Sequence, residues 1–344
     1  MKKITNYTRD NHHIITSSNH LIIVFLFFCF STTVFAQEKK PKGEPINIYY
    51  DEEMSYKDIT WKQNGFEFFI GGGAYFGGRK TANYYNGAPE NNINLNLIFN
   101  NPYYWKEADF SVMNILRHKY PYMDTAIFDQ KNGYNYKSKY NIAMDIALGV
   151  KYRFMTHWYV ELTYSFRRLT CDNRFAFEFP NGVPGNKDYP PYSKWQHLLA
   201  KEDRHYIDIS VGYILQKHRI VKPFIAVGGL FTYIDIKSFS AFIESSKPNF
   251  DLISLAKNPD YTLGVPTSPG NNYKYWRGPG YGCSLTVGLK IVAHRVVSLD
   301  PVFQLSVASF GNSKNLPGFN NNMCFSYMAG VRLVMNDALF TRNQ

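Results

Sequence analysis

Nine charged side chains carry whatever chemistry this chain can perform inside its fold. Glu67, Glu161 and Asp300 sit between apolar neighbours, as do Lys151, Arg153, Lys290 and Arg332, and further along their segments so do Asp145 and Asp208. Residues two apart point the same way on a strand, so charges that share the parity opposite to the apolar residues share the opposite face. Such groups either line an ion path or pair with one another, because a buried charge left without a partner is costly. Other candidates are thinner. Gly73, Gly77 and Gly78 before Arg79-Lys80-Thr81 have the outline of a phosphate-binding loop, but the lysine position counted from Gly73 is Arg79 and no helical pattern follows. Glycines that ease curvature and close packing account for them better. His157, His218 and His294 mark three short connections. To hold a metal they would have to converge from separate hairpins, and their basic neighbours suit lipid head groups equally well. Of the other histidines beyond residue 36, His205 has no serine at Ile207, the next position on its face, and neither a GxSxG nor an HExxH sequence occurs. These residues point to no enzyme, no cofactor and no metal site.

The elements that must position the nine charges are strands. Between Tyr140 and Arg167, Ile142, Met144, Ile146, Leu148, Val150, Tyr152 and Phe154 alternate with Ala143, Asp145, Ala147, Gly149, Lys151 and Arg153. In the returning arm Trp158, Val160, Leu162, Tyr164 and Phe166 alternate with Glu161, Thr163, Ser165 and Arg167. The arms match the roughly 9–11 residues that a tilted strand needs to cross a bilayer. Further strands are expected at Phe66–Phe76, Arg204–Gln216, Val221–Asp235, Pro279–Ala293, Val296–Ser309 and Met323–Met335. The intervening connections run long, short, long, short, long, short, long, as in an even-stranded barrel with both ends in the periplasm. Residues 155–157, 217–219 and 294–295 would then be periplasmic turns, and Arg79–Lys139, Leu169–Asp203 and Ile236–Gly278 extracellular loops. Tyr152, Phe154 and Trp158 fall where an inner-interface aromatic girdle belongs. The expectation is an all-β, membrane-spanning, up-and-down antiparallel barrel of eight strands. Ten are the alternative, because Ile93, Leu95, Leu97 and Phe99 alternate with asparagines and Phe110–Leu116 could return as a partner. Pro301 lies within the seventh strand and predicts a bulge there.

Composition agrees with this architecture. The 344 residues include 27 Tyr and 27 Phe, ample for aromatic girdles. A mean hydropathy of -0.32 suits a wall in which only alternate residues meet lipid. Lys2, Lys3 and Arg9 precede the apolar run Leu21–Phe30, and Val34-Phe35-Ala36 suits signal peptidase, so residues 1–36 are expected to be a cleaved export signal. Cleavage would remove three basic side chains and one acidic one, lowering the net charge from +11 to +9. For an exported chain that surplus fits phosphate-rich lipid and no nucleic acid. Residues 37–64 read as a periplasmic lead-in, 65–336 as the barrel and 337–344 as a tail. Cys283 is expected to face lipid and Cys324 the lumen, which is poor geometry for a disulfide.

On this strand pattern, over about Phe66 to Met335, the sequence resembles the small outer-membrane β-barrels of Gram-negative bacteria, the OmpA/OmpX/OmpW-like group. The resemblance implies an eight-stranded fold inserted by the barrel assembly machinery. The chain departs from that group where Asn336–Gln344 follow the last strand in place of a closing aromatic residue. An eight-stranded interior is just wide enough for side chains to fill, so the nine charges are expected to form a plug of ion pairs. The function expected is structural or surface-binding, through long loops that contact lipopolysaccharide, a surface ligand or a partner protein. The alternatives are a channel for small or apolar solutes and an accessory barrel of a secretion system.

Overall fold

The computed structural model describes residues 65–91, 93–107, 111–119, 127–128, 137–179, 192–215, 221–244, 250–257, 277–294, 296–310 and 323–336. The expected export signal, lead-in and tail lie outside them, as do residues 217–219 and Arg295. The expected serial pairing closes into a ring: β1 (Gly65–Phe76), β2 (Ala143–Arg153), β3 (Trp158–Phe179), β4 (Tyr192–Ile214), β5 (Val221–Phe242), β6 (Arg277–His294), β7 (Val297–Ala308) and β8 (Cys324–Asn336). Each strand pairs antiparallel with the next, and β8 pairs with β1 from Glu67↔Asn336 to Phe76↔Tyr327. Eight strands form the barrel. The ten-strand alternative is overturned, because Asn96–Phe99 and Val112–Lys119 are helical.

The wall obeys the two-residue period. Leu148 is 52% exposed and Val227 60%, whereas Asp145 and Lys151 on the other face are each 1% exposed. Around the ring Phe68, Ile70, Leu162, Ile209, Leu285 and Leu333 continue the outward apolar belt. No helix among the described residues is long and apolar enough to cross a membrane, and the belt belongs to strands. Large inward rings lie across glycines on the neighbouring strand. A Cβ at Gly149 would come within 2.2 Å of the Phe69 ring, and one at Gly212 within 2.1 Å of the Tyr159 ring. These glycines let a narrow lumen accept aromatic side chains.

Three strands outrun a bilayer. β3 and β5 have 22 residues and β4 has 23, about twice what a crossing needs. The expected loops Leu169–Asp203 and Ile236–Gly278 are therefore corrected: residues 169–179, 192–203 and 236–242 are strand. On β3 the apolar phase inverts as it leaves the belt. Outward residues change from Tyr164 and Phe166 to Arg168, Thr170, Asp172 and Arg174, while Leu169, Cys171, Phe175, Phe177 and Phe179 turn inward and are buried. β5 makes the same transition through a bulge. The register against β4 shifts between Lys201 and Glu202, so Lys237 is the extra residue, and Phe239, Ala241 and Ile243 are sent inside. At Pro301 the expected bulge is absent. The β6–β7 register is unchanged from Gly288/Val302 to Ile291/Leu299, with the pairs at Leu289/Pro301 and Lys290/Asp300 missing from the ladder, and it shifts only beyond, between Val292 and His294. Proline removes a donor there without adding a residue.

The inward apolar face of the protruding sheet is covered by the segment that follows β1. α1 (Arg79–Ala82) and a 3-10 turn (Asn83–Asn86) stop at Gly87, whose φ of 76° suits glycine. α2 (Asn96–Phe99) and α3 (Val112–Lys119) follow. The asparagines that gave this stretch its loop-like composition fix its turns: Asn86 Oδ1 accepts from the Ala88 amide at 2.8 Å, Asn94 Oδ1 from Asn96 and Asn101 Oδ1 from Tyr103. Tyr84, Ile93, Leu95 and Ile98 share one core with Phe175, Leu198, Phe239 and Ile243.

Candidate functional site: the filled lumen

Three tiers of side chains fill the barrel. Nearest the short turns, Glu67 accepts from Arg153 Nη2 at 2.9 Å and from Lys290 Nζ at 2.8 Å. Glu161 accepts from Arg332 Nη1 at 2.7 Å and from Thr163 Oγ1 at 2.9 Å. Lys151 lies between Glu161 and Asp300, 3.6 and 3.8 Å from their oxygens, and 4.6 Å from the centre of the Tyr159 ring. Ser298 donates to Asp300 at 2.9 Å. The three acids and four bases of this tier come from β1, β2, β3, β6, β7 and β8, so the ion pairs tie the wall together across the lumen.

The middle tier centres on Arg167. Its guanidinium pairs with Asp145, donates to Gln304 at 3.2 Å and lies 4.2 and 4.1 Å from the ring centres of Tyr75 and Tyr206. Those tyrosines share a hydrogen bond of 2.8 Å. Gln304 Nε2 in turn donates to Asp208 at 2.9 Å, and Ser284 also donates to that carboxylate. A planar cation between two rings, with its N–H groups bonded, is the arrangement that suits arginine and not lysine.

Above it, Arg204 pairs with Glu202, stacks 4.2 Å from the centre of Phe310 and donates to Tyr140 Oη at 3.0 Å and Thr81 Oγ1 at 3.1 Å. The Tyr85 phenol donates to Glu202. Burial, then the nearby Glu202 charge, push that phenol well above its ordinary pKa and keep it a donor. Tyr85 and Thr81 belong to the segment after β1, so the cover is hydrogen-bonded to the lumen charges as well as packed on the protruding strands.

Each of the nine charges singled out by parity lies inside and makes polar contacts there. Arg167, Arg204 and Glu202 were missed as members, although Arg204 and Glu202 are two and four residues before Tyr206 on the same face. Glu202 falls within Leu169–Asp203, which the sequence pattern assigns to a loop. With these three, the buried inward charges among the described residues are six acids and six bases.

Tyr152, Phe154 and Trp158 are all exposed at the short-turn end of the wall. Tyr152 packs on Phe66 with ring centres 4.8 Å apart, and Trp158 on Tyr213 at 5.1 Å. Phe154 stands just past the end of β2. The Ile214 carbonyl accepts from His157 Nδ1 at 2.9 Å. His205 Nδ1 is 2.8 Å from the Tyr164 hydroxyl. One helical turn does follow the glycine run, contrary to expectation, but α1 has only four residues. Among the described residues no group of His, Cys, Asp and Glu could hold a metal ion. Cys171, Cys283 and Cys324 are free thiols.

No protein-family model and no curated protein matches this chain. Several solved structures are similar in fold. Neisserial surface protein A (NspA) is 8% identical over 78% of this chain and 96% of its own, with a TM-score of 0.33. The outer membrane protein OprG from Pseudomonas aeruginosa is 11% identical over 80% of this chain and 99% of its own, with a TM-score of 0.33. Ail, the attachment invasion locus protein of Yersinia pestis, is 11% identical over 79% and 99%, with a TM-score of 0.29. The eight-stranded ring itself rests on the strand pairings of this chain.

Proposed function

We propose that this protein is an outer-membrane barrel of a Gram-negative bacterium whose lumen is a structural core and whose folded outer part is a binding surface. The observation that carries this reading is the filled interior, with six acids against six bases buried in three tiers beneath an apolar cover. Charges drawn together at hydrogen-bond distance across a narrow barrel leave the wall braced and offer a solute no continuous row of free groups. The short turns lie in the periplasm and the protruding strands outside the cell. Insertion then falls to the barrel assembly machinery, and the outer surface meets lipopolysaccharide and a surface ligand or partner protein. The chain is not an enzyme on this reading and needs no cofactor.

Planar-bilayer recording of the full chain tests the proposal. The expected result is no large steady current. A sustained ohmic conductance of the unaltered protein would overturn the plug and favour a channel for small solutes.

A further inference from the structure

On the outside of the barrel, three successive rows of paired residues cross β3, β4, β5 and β6. The first is Tyr164, Ile207, Phe231 and Tyr281; the second is Phe166, His205, Tyr233 and Pro279; the third is Arg168, Asp203, Asp235 and Arg277. Beneath them Leu162, Ile209, Gly229 and Cys283 form an apolar row, so the order is apolar, then two rows rich in aromatic residues, then charged, which is the order met on leaving hydrocarbon for the head-group layer. The extra residue of the β5 bulge, Lys237, adds a cation to the third row, and Lys201 stands exposed one row further out.

The charged row is continuous. Arg168 donates to Asp203 through Nε at 2.7 Å and Nη2 at 3.0 Å, Lys237 lies 3.8 Å from Asp203 and pairs with Asp235, and Arg277 Nε donates to Asp235 at 3.0 Å. The carboxylates hold the cations in place without cancelling them, since three bases stand with two acids in the row and Lys201 adds a cation just beyond it. Both ends of the row are arginines, with side chains 64% and 59% exposed. The carboxylates are covered, with side chains 6% and 12% exposed, so the pairs add to stability, but each cation is held from one side and keeps its outer N–H groups toward the surface. Guanidinium groups bind phosphate oxygens through paired N–H donors.

We propose that this row binds the phosphate ester of a lipid head group at the surface of the outer leaflet. The proposal rests on the membrane-spanning reading above and names one lipid site within it. The source is a lipid and not a free phosphate, because the apolar and aromatic rows directly beneath the cations offer a place for acyl chains.

The test uses the full chain folded in uncharged maltoside micelles, with native mass spectrometry to count bound lipid. The probes are diphosphoryl lipid A and its dephosphorylated counterpart. The unaltered protein is expected to prefer the diphosphoryl lipid by on the order of tenfold. The double variant Arg168→Gln/Arg277→Gln should lose that preference while keeping the folded band in unheated gel electrophoresis. Lys201→Gln, which breaks no ion pair seen here, should weaken it partway. Inorganic pyrophosphate should not displace the lipid. Equal binding of the two lipids, undiminished preference in the double variant, or displacement by pyrophosphate would each overturn the lipid-phosphate site while leaving the barrel intact. Failure of the unaltered chain to fold in micelles or in phosphatidylcholine vesicles would remove the membrane reading and the site with it.

Discussion

Arg332 shows how a single lumen charge acts. It holds Glu161 at 2.7 Å and lies 4.6 Å from the centre of the Phe69 ring, so losing it leaves Glu161 with the more distant Lys151. Removing one partner of a buried pair costs about 3–5 kcal/mol. Arg332→Met should therefore lower the urea midpoint of the folded barrel in lipid vesicles, followed by tryptophan fluorescence, with little change in bilayer conductance. Pairing it with Glu161→Leu should restore much of the loss. A variant that conducts strongly at unaltered stability would count against the plug. At this scale the sequence was partly legible. Parity alone found Glu67, Lys151 and Arg332, because alternation states a facing direction. It could not say that Arg167 would lie between Tyr75 and Tyr206, since those three residues are brought together by closure of the ring and not by spacing along any one strand.

Among the elements, β5 shows how a long strand can carry the sequence pattern of a loop. Its alternation breaks at Lys237, and a break in period looks the same in sequence whether a strand ends or a bulge intervenes. On β3 the period persists through Phe179, but its apolar phase inverts, so a search for outward grease stops at Phe166. The bulge makes a direct prediction. Deleting Lys237 should regularise the strand and keep Phe239, Ala241 and Ile243 inside, leaving the cover resistant to trypsin. Deleting Lys237 and Ser238 together should flip all three outward and expose the segment after β1 to cleavage within minutes. Equal protection in both variants would mean that strand phase does not organise this core. The two edges of the protruding sheet are also managed: Ile127–Phe128 pairs with β3, and Phe250–Asp251 with β5, each covering part of an otherwise open edge.

Taken whole, the molecule joins two interiors of opposite character, a charged one within the belt and an apolar one above it. The thiols report on both. Cys283 is exposed on the belt, whereas Cys171 is buried beneath the cover, where burial and then the Glu202 charge push its thiol up to about 12. Only the thiolate reacts with a maleimide. Cys171 should stay unmodified at neutral pH until urea opens the cover, as read by mass spectrometry on single-cysteine variants. Rapid labelling of Cys171 at pH 7 would contradict the buried core. The number and order of wall strands were legible because hydrocarbon imposes one rule on every crossing. The cover was not, because its helices are short and its asparagines resemble those of loops, and its apolar residues are recognisable as a core only beside Phe175, Leu198 and Phe239.

The inversion of phase on β3 also fixes how deeply the molecule floats. A displacement of one row toward the cell would drag Arg168 and Asp203 into acyl chains, at up to about 2–4 kcal/mol for a basic side chain carried to the midplane and less near the surface. A displacement the other way would lift Tyr164 and Ile207 into water. The bilayer is thus gripped at one level, and whatever the protruding strands present is held at a constant height above the cell.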